Sequence, residues 1–189
     1  MEIIDGEQVK INLDDIAQRI RDGETCIYPT DTVYGIGCDA TNDEAVEHVR
    51  KAKQRPEKPL SVIAPSKRWI FLNCDVSAEA EASINSLPGP YTYIFETTES
   101  EISAAVSPGL DTIGVRYPHH WITRLVKTIQ RPIVTTSANI SGDEPLRQPQ
   151  DAPVDLREHI DIAIDSGHID GTPSTIVDYS GDEPQRIPR

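Results

Sequence analysis

The sequence predicts an α/β protein with a mixed sheet, and three observations carry that reading. Short apolar or β-branched runs alternate along the chain with segments whose apolar residues recur at helical spacing. Glycine and proline punctuate most junctions between the two kinds of segment. The last strand-like runs follow one another through connections of hairpin length, which predicts antiparallel neighbours in a sheet that is not wholly parallel. The 189 residues fit one domain, 1–189, with no internal repeat, low-complexity tract or linker.

Each element has its own signal. Asn12 precedes Leu13, Ile16, Ala17 and Ile20, with Gly23 beyond, the pattern of an amphipathic helix with a cap at each end. Cys26-Ile27-Tyr28 is a strand stopped by Pro29, and it feeds a polar loop of Thr30, Thr32 and Tyr34 punctuated by Gly35 and Gly37. Asp43 caps a helix with Ala45, Val46, Val49 and Ala52 on its apolar face. Residues 60–64 suit a buried strand, and Ser66 and Ser77 are N-caps of two further helices, the second broken by Leu87-Pro88-Gly89-Pro90. Residues 91–98 and 112–117 read as strands around a turn at 107–111. A helix over 120–130 uses Ile122, Leu125, Val126 and Ile129, and the strand 133–136 then runs straight into Ser137-Ala138-Asn139-Ile140-Ser141-Gly142. Residues 143–153, with Pro145, Pro149 and Pro153, read as a long surface loop whose mobility could gate a site. Two late strands, 160–165 and 174–179, are joined through Gly167 and Gly171.

Charge narrows the function. With 18 basic against 31 acidic residues the net charge is -13, which disfavours broad electrostatic binding to a nucleic-acid backbone, and aromatics at 5% give few platforms for stacking bases. Against that background Arg50, Lys51, Lys53, Arg55 and Lys58 form a basic island at the end of the helix that begins at Asp43. A hydroxyl-lined loop followed by concentrated positive charge suits a polyanionic small molecule such as a nucleoside triphosphate. Three widely spaced cysteines, with no C-x-x-C pair, indicate neither a disulfide framework nor a zinc site and fit a reduced, cytoplasmic setting. The five histidines show no ligand spacing, so no metal site is expected. No apolar run approaches the roughly 20 residues of a membrane span, and no membrane partner is expected.

Neither standard phosphate-binding fingerprint is present: G-x-x-x-x-G-K-[ST] is missing, and Gly35-Ile36-Gly37 lacks the third glycine of a dinucleotide turn. Three polar clusters remain for a nucleotide: Pro29 to Gly35 (PTDTVYG), Lys53-x-Arg55 and Ser137-x-Asn139. Each taken alone has a plain structural reading, as a strand end, as cations complementing a helix dipole, and as a polar turn.

Together with KPL at 58–60, PGPYT at 88–92, GLDTIGVRYP at 109–118, TSANISG at 136–142 and STIVD at 174–178, these clusters occur in an order that resembles the YrdC family over nearly the whole chain. The resemblance implies a twisted mixed sheet with flanking helices and a concave basic face. It implies the activity of the family's best-known members, the threonylcarbamoyl-AMP synthases. These condense L-threonine, bicarbonate and ATP to threonylcarbamoyl-adenylate and pyrophosphate, for threonylcarbamoylation of tRNA by a downstream transferase. By resemblance Lys53 and Arg55 serve the phosphates and catalysis, while Thr30 or Thr32, Arg116, Ser137 and Ser174 hold threonine. Thr112, Asn139, Arg147 and Arg186 contact ATP, and magnesium rides on the triphosphate. Two alternatives stand beside this reading: a module of the family that binds double-stranded RNA or tRNA, and a carbamoyl-handling enzyme with another acceptor. Between Arg55 and Leu60 the chain is one residue shorter than the usual family spacing, and it resembles the short, single-domain form. Lys53 and Arg55 are expected to face solvent in the free protein.

Overall fold

Alternation within short strands sets which side chains enter which core, and helices cover both faces of the sheet. The computed structural model describes residues 1–98 and 101–188. In chain order they form β1 (Glu2–Asp5), α1 (Gly6–Ile11), α2 (Leu13–Arg21), β2 (Cys26–Tyr28), β3 (Gly35–Gly37), α3 (Asp43–Lys53), β4 (Ser61–Ile63), α4 (Lys67–Asn73) and α5 (Ala78–Ser86). They continue as β5 (Tyr91–Glu96), β6 (Thr112–Arg116), α6 (Ile122–Ile129), β7 (Ile133–Ser137), α7 (Val154–Arg157), β8 (Ile162–Asp165), β9 (Thr175–Asp178) and β10 (Gln185–Ile187). The strands make one sheet in the order β1-β8-β2-β3-β7-β4-β6-β5-β9-β10.

The pairing is mixed, as the sequence predicts. β8 runs parallel to β1 and β2, β4 parallel to β6, and β5 parallel to β9, while β2–β3, β3–β7, β4–β7, β5–β6 and β9–β10 are antiparallel. The expected reason needs correction, because β8 and β9 are not hairpin neighbours. They lie near opposite ends of the sheet, so residues 166–174 cross its width instead of turning back.

The two faces follow the period of two. Cys26, Tyr28, Ile63, Ile133, Ile162 and Ile164 pack with α2 and α6, whereas Ile27, Val62, Val134 and Ala163 enter the larger core under α3 and α5. α3 is capped by Asn42, one residue before the expected Asp43, and the Asn42 Oδ1 accepts from Ala45 N at 3.1 Å. Ser66 and Ser77 cap α4 and α5 as read from the sequence. β1, α1 and α7 are additions, and Gly35–Gly37 is a strand where the sequence reads a loop. The reason is close packing: a Cβ on Gly37 would collide with the Val134 carbonyl of β7, so glycine is what lets this strand lie in the sheet.

Candidate active site

Strand ends and the crossing segment enclose a cleft of about 280 Å³. Its walls come from the loop after β2, the segment after α3, the neighbouring strands β5, β6 and β9, and the end of β7. Residues 166–174 close one side. Tyr34 donates to Gly167 O at 2.7 Å and accepts from Ser166 N at 3.0 Å. Gly171 sits so close to the Thr32 carbonyl that any side chain there would displace the loop.

Arg116, at the end of β6, is 7% exposed and lines the cleft. One terminal nitrogen donates to Asp31 Oδ1 at 2.9 Å and to Thr32 Oγ1 at 3.0 Å, while Nε is buried with no partner. Burial pushes its pKa down and Asp31 pulls it back up. Asp31 is fixed in turn by the His119 N–H at 2.8 Å. This carboxylate orients the guanidinium, and it lay inside the PTDTVYG motif without being singled out; a lone carboxylate between two threonines was the available signal.

The remaining expected residues separate by position. Thr32, Ser137, Ser174, Thr112 and Arg55 line the cleft with Arg116. Ser174 Oγ is 2.7 Å from Thr92 Oγ1, a second hydroxyl of the lining that the sequence did not single out. Thr30 is not among the lining residues; its hydroxyl donates to Val33 O at 2.6 Å and accepts from Thr32 N at 3.1 Å, so it shapes the turn that presents Thr32. Arg147 and Arg186 stand outside the lining too: Arg147 pairs with Asp170, and Arg186 donates to Thr175 Oγ1 at 3.3 Å from an exposed position.

Lys53 corrects an expectation. It is 1% exposed instead of solvent-facing, because its Nζ turns inward and donates to Ser137 O at 2.5 Å, Asn139 O at 2.8 Å and Asn139 Oδ1 at 2.9 Å. Ser137 Oγ donates to the same Oδ1 at 2.6 Å, and Asn139 Nδ2 to Asp143 O at 2.7 Å. Lys53-x-Arg55 and Ser137-x-Asn139 are thus one bonded unit. Burial, with Arg55 adding repulsion, lowers the Lys53 pKa to about 7. Its three acceptors match the three N–H bonds of an ammonium and oppose that shift.

Arg55 is half-buried; it donates to Pro59 O at 3.0 Å and keeps Nε unpartnered. Burial, then the charge of Arg50, lowers its pKa. The positive charge of the cleft is therefore two arginines among hydroxyls, and not the five-cation face the sequence suggests. Among the described residues no carboxylate is in the lining, and no group of three or more His, Cys, Asp or Glu could hold a metal ion.

A buried and a half-buried guanidinium set among hydroxyls at strand ends give this α/β protein the cleft of a small-molecule enzyme. The family model described as telomere recombination, of Sua5, YciO and YrdC, matches residues 18–189, and the chain belongs to that family. The threonylcarbamoyl-AMP synthase of Vibrio campbellii is 32% identical over 175 residues, covering 88% of this chain and 94% of that protein. The threonylcarbamoyl-AMP synthase of Pyrococcus abyssi is 35% identical over 166 residues, and the chain spans about half of its length, 48%. The crystal structure of P. abyssi Sua5 complexed with L-threonine superimposes with a TM-score of 0.88 at 30% identity, over 98% of this chain and 56% of that one.

Proposed function

We propose that the protein is an L-threonylcarbamoyladenylate synthase, condensing L-threonine, bicarbonate and ATP for threonylcarbamoyl modification of tRNA, with a transferase acting downstream. The observation that carries this reading is Arg116. Its guanidinium is buried, held on one side by Asp31 and Thr32, and keeps a donor unpartnered in a cleft lined by hydroxyls. That is the donor set for an amino-acid carboxylate with polar groups beside it. Relatives named for this activity, one of them across nearly its whole length, support the same reading.

The threonine amine attacks the bicarbonate carbon and water is lost, giving a carbamate. A carbamate oxygen then attacks the α-phosphorus of ATP, the bond to the β-phosphate bridge breaks, and pyrophosphate leaves. No covalent bond to the protein forms. The protein positions the reactants and neutralises charge. Arg116, Thr32, Ser174 and Ser137 hold threonine, and Arg55 and Thr112 hold the phosphates and nucleotide. Lys53 and Asn139 fix the wall from behind, and Arg147 and Arg186 reach the nucleotide from the rim. Magnesium would come with ATP and offset the triphosphate's charge, since among the described residues the lining offers donors and cations but no carboxylates. Among the described residues no helix is long and apolar enough to cross a membrane.

Radiolabelled bicarbonate tests the reading directly. Label should enter an adenylate, and pyrophosphate should appear, only with threonine and ATP both present. Equal pyrophosphate release without threonine would overturn it.

A further inference from the structure

Among the described residues, three buried side-chain polar atoms have no hydrogen-bond partner: Arg55 Nε, Arg116 Nε and Ser107 Oγ. All three residues line the same cleft. Buried polar groups in folded proteins are satisfied as a rule, so a cluster of exceptions facing one cavity marks where a ligand supplies the missing partners. Arg55 and Arg116 already have roles above; Ser107 has none.

We propose that Ser107 is a phosphate-contacting residue, its hydroxyl donating to the same phosphoryl group that Arg55 Nε meets; this rests on the adenylate-forming reading above. The backbone on both sides is fixed. Residues 104–106 form a short 3-10 turn, Ser107 O accepts from Leu110 N at 3.1 Å, and Val106 O accepts from Leu60 N at 2.8 Å. The buried Arg50 guanidinium ties this segment to that of Arg55: it donates to Ala105 O at 2.5 Å and Val106 O at 3.2 Å, and to Arg55 O at 2.8 Å, Pro56 O at 3.1 Å and Lys58 O at 3.2 Å. Arg55 and Ser107 therefore stand on one stitched part of the cleft wall, and Ser107 has no structural bond of its own side chain to make.

Charge selects the ligand. Arg116 is balanced by Asp31, whereas among the described residues Arg50, Lys53 and Arg55 form no ion pair with a carboxylate and bond instead to carbonyl and amide oxygens. The wall with Ser107 is thus the more positive side of the cleft, and a phosphoryl oxygen fits it better than an amino-acid carboxylate. Thr112, the other hydroxyl on this side, lines with Ser107 both the main cleft and a neighbouring cavity of about 90 Å³.

The test compares the wild-type chain with Ser107→Ala and Ser107→Thr. Calorimetry uses a non-hydrolysable ATP analogue, inorganic pyrophosphate and L-threonine separately, with thermal melting of the free proteins and the KM for bicarbonate alongside. Ser107→Ala should weaken the analogue and pyrophosphate about tenfold, as for loss of a hydrogen bond to a charged group, and leave threonine affinity unchanged. Its melting temperature should not fall, because the deleted hydroxyl has no partner in the free protein. Ser107→Thr should restore anion binding. Unchanged analogue and pyrophosphate affinities would overturn the assignment, and so would an effect confined to the KM for bicarbonate. A fall in melting temperature with equal losses for all three ligands would show a structural role instead. If the analogue binds in a Ser107-dependent way but no threonylcarbamoyl-adenylate forms, the contact stands and the reaction assigned above fails.

Discussion

Lys53 and Arg147 are both cations that the sequence directs to the nucleotide, yet the fold treats them oppositely. Lys53 is 1% exposed and bonded to three oxygens of the turn at 137–139, while the Arg147 side chain is 55% exposed and pairs with Asp170, itself 64% exposed. Arg116 and Arg186 repeat the contrast: the first is 7% exposed beside the partly buried carboxylate of Asp31, the second is exposed and makes one bond to a threonine hydroxyl. The inner wall is organised before any ligand arrives, and groups fixed in advance can respond to charge that develops during reaction. The rim is solvated and screened, so its cations are expected to affect affinity and encounter more than turnover.

The sharpest way to break this comparison is Lys53→Ala. It strips the donor from three oxygens of the wall, and each buried acceptor left unsatisfied costs about 1–3 kcal/mol. A lower melting temperature by at least several degrees is expected, together with loss of turnover. A melting curve like that of the wild type would mean Lys53 does not organise the wall.

Arg116→Ala comes next. Removing one end of a charge-assisted hydrogen bond should weaken threonine binding about ten- to a hundredfold, with ATP affinity changed only a few-fold. Calorimetry with each ligand alone separates the two. Matched losses would show that Arg116 supports the cleft generally and does not read the amino acid.

A smaller effect sharpens the picture of Lys53. Burial lowers the Lys53 pKa to about 7, so that, although its three acceptors favour the ammonium, part of the population is unprotonated at pH 8 in the free protein. A polyanion beside the wall favours the charged form and raises that pKa, so ATP binding at pH 8 should take up part of one proton. Binding enthalpies measured in buffers of different ionisation enthalpy report the uptake, and Lys53→Met should remove it. Proton release, or no dependence on buffer, would contradict the expected sign.

Much of the fold was legible because α2, α3 and α6 each show helical spacing and β2, β4 and β7 are short apolar runs. β3 was not, since Gly-Ile-Gly reads as punctuation and its glycines matter only against Tyr28 and Val134, which are distant in sequence or on the next strand. The placement of β8 and β9 at opposite ends of the sheet is a long-range pairing that no local pattern encodes. In the site, Thr32, Arg55, Thr112, Arg116, Ser137 and Ser174, each named from the sequence, line one cleft. It misplaced Lys53 because a lysine without a carboxylate partner argues for solvent, and only the turn at 137–139 supplies the oxygens that bury it. Asp31, Thr92 and Ser107 depend on partners or neighbours far along the chain, so their roles emerge only once β5, β6 and the loops are in place.

The contrast between wall and rim is tested most directly by steady-state kinetics of Arg55→Ala and Arg186→Ala measured side by side, with ATP varied at saturating threonine and bicarbonate. Arg55→Ala should lower kcat on the order of a hundredfold, as for loss of one preorganised donor to the developing charge. Arg186→Ala should leave kcat near the wild-type value and raise the KM for ATP a few-fold, more at low salt than at high. If Arg55→Ala instead kept a near-normal kcat and raised only KM, the inner arginine would be a uniform binder like the outer one, and the division between wall and rim would be contradicted.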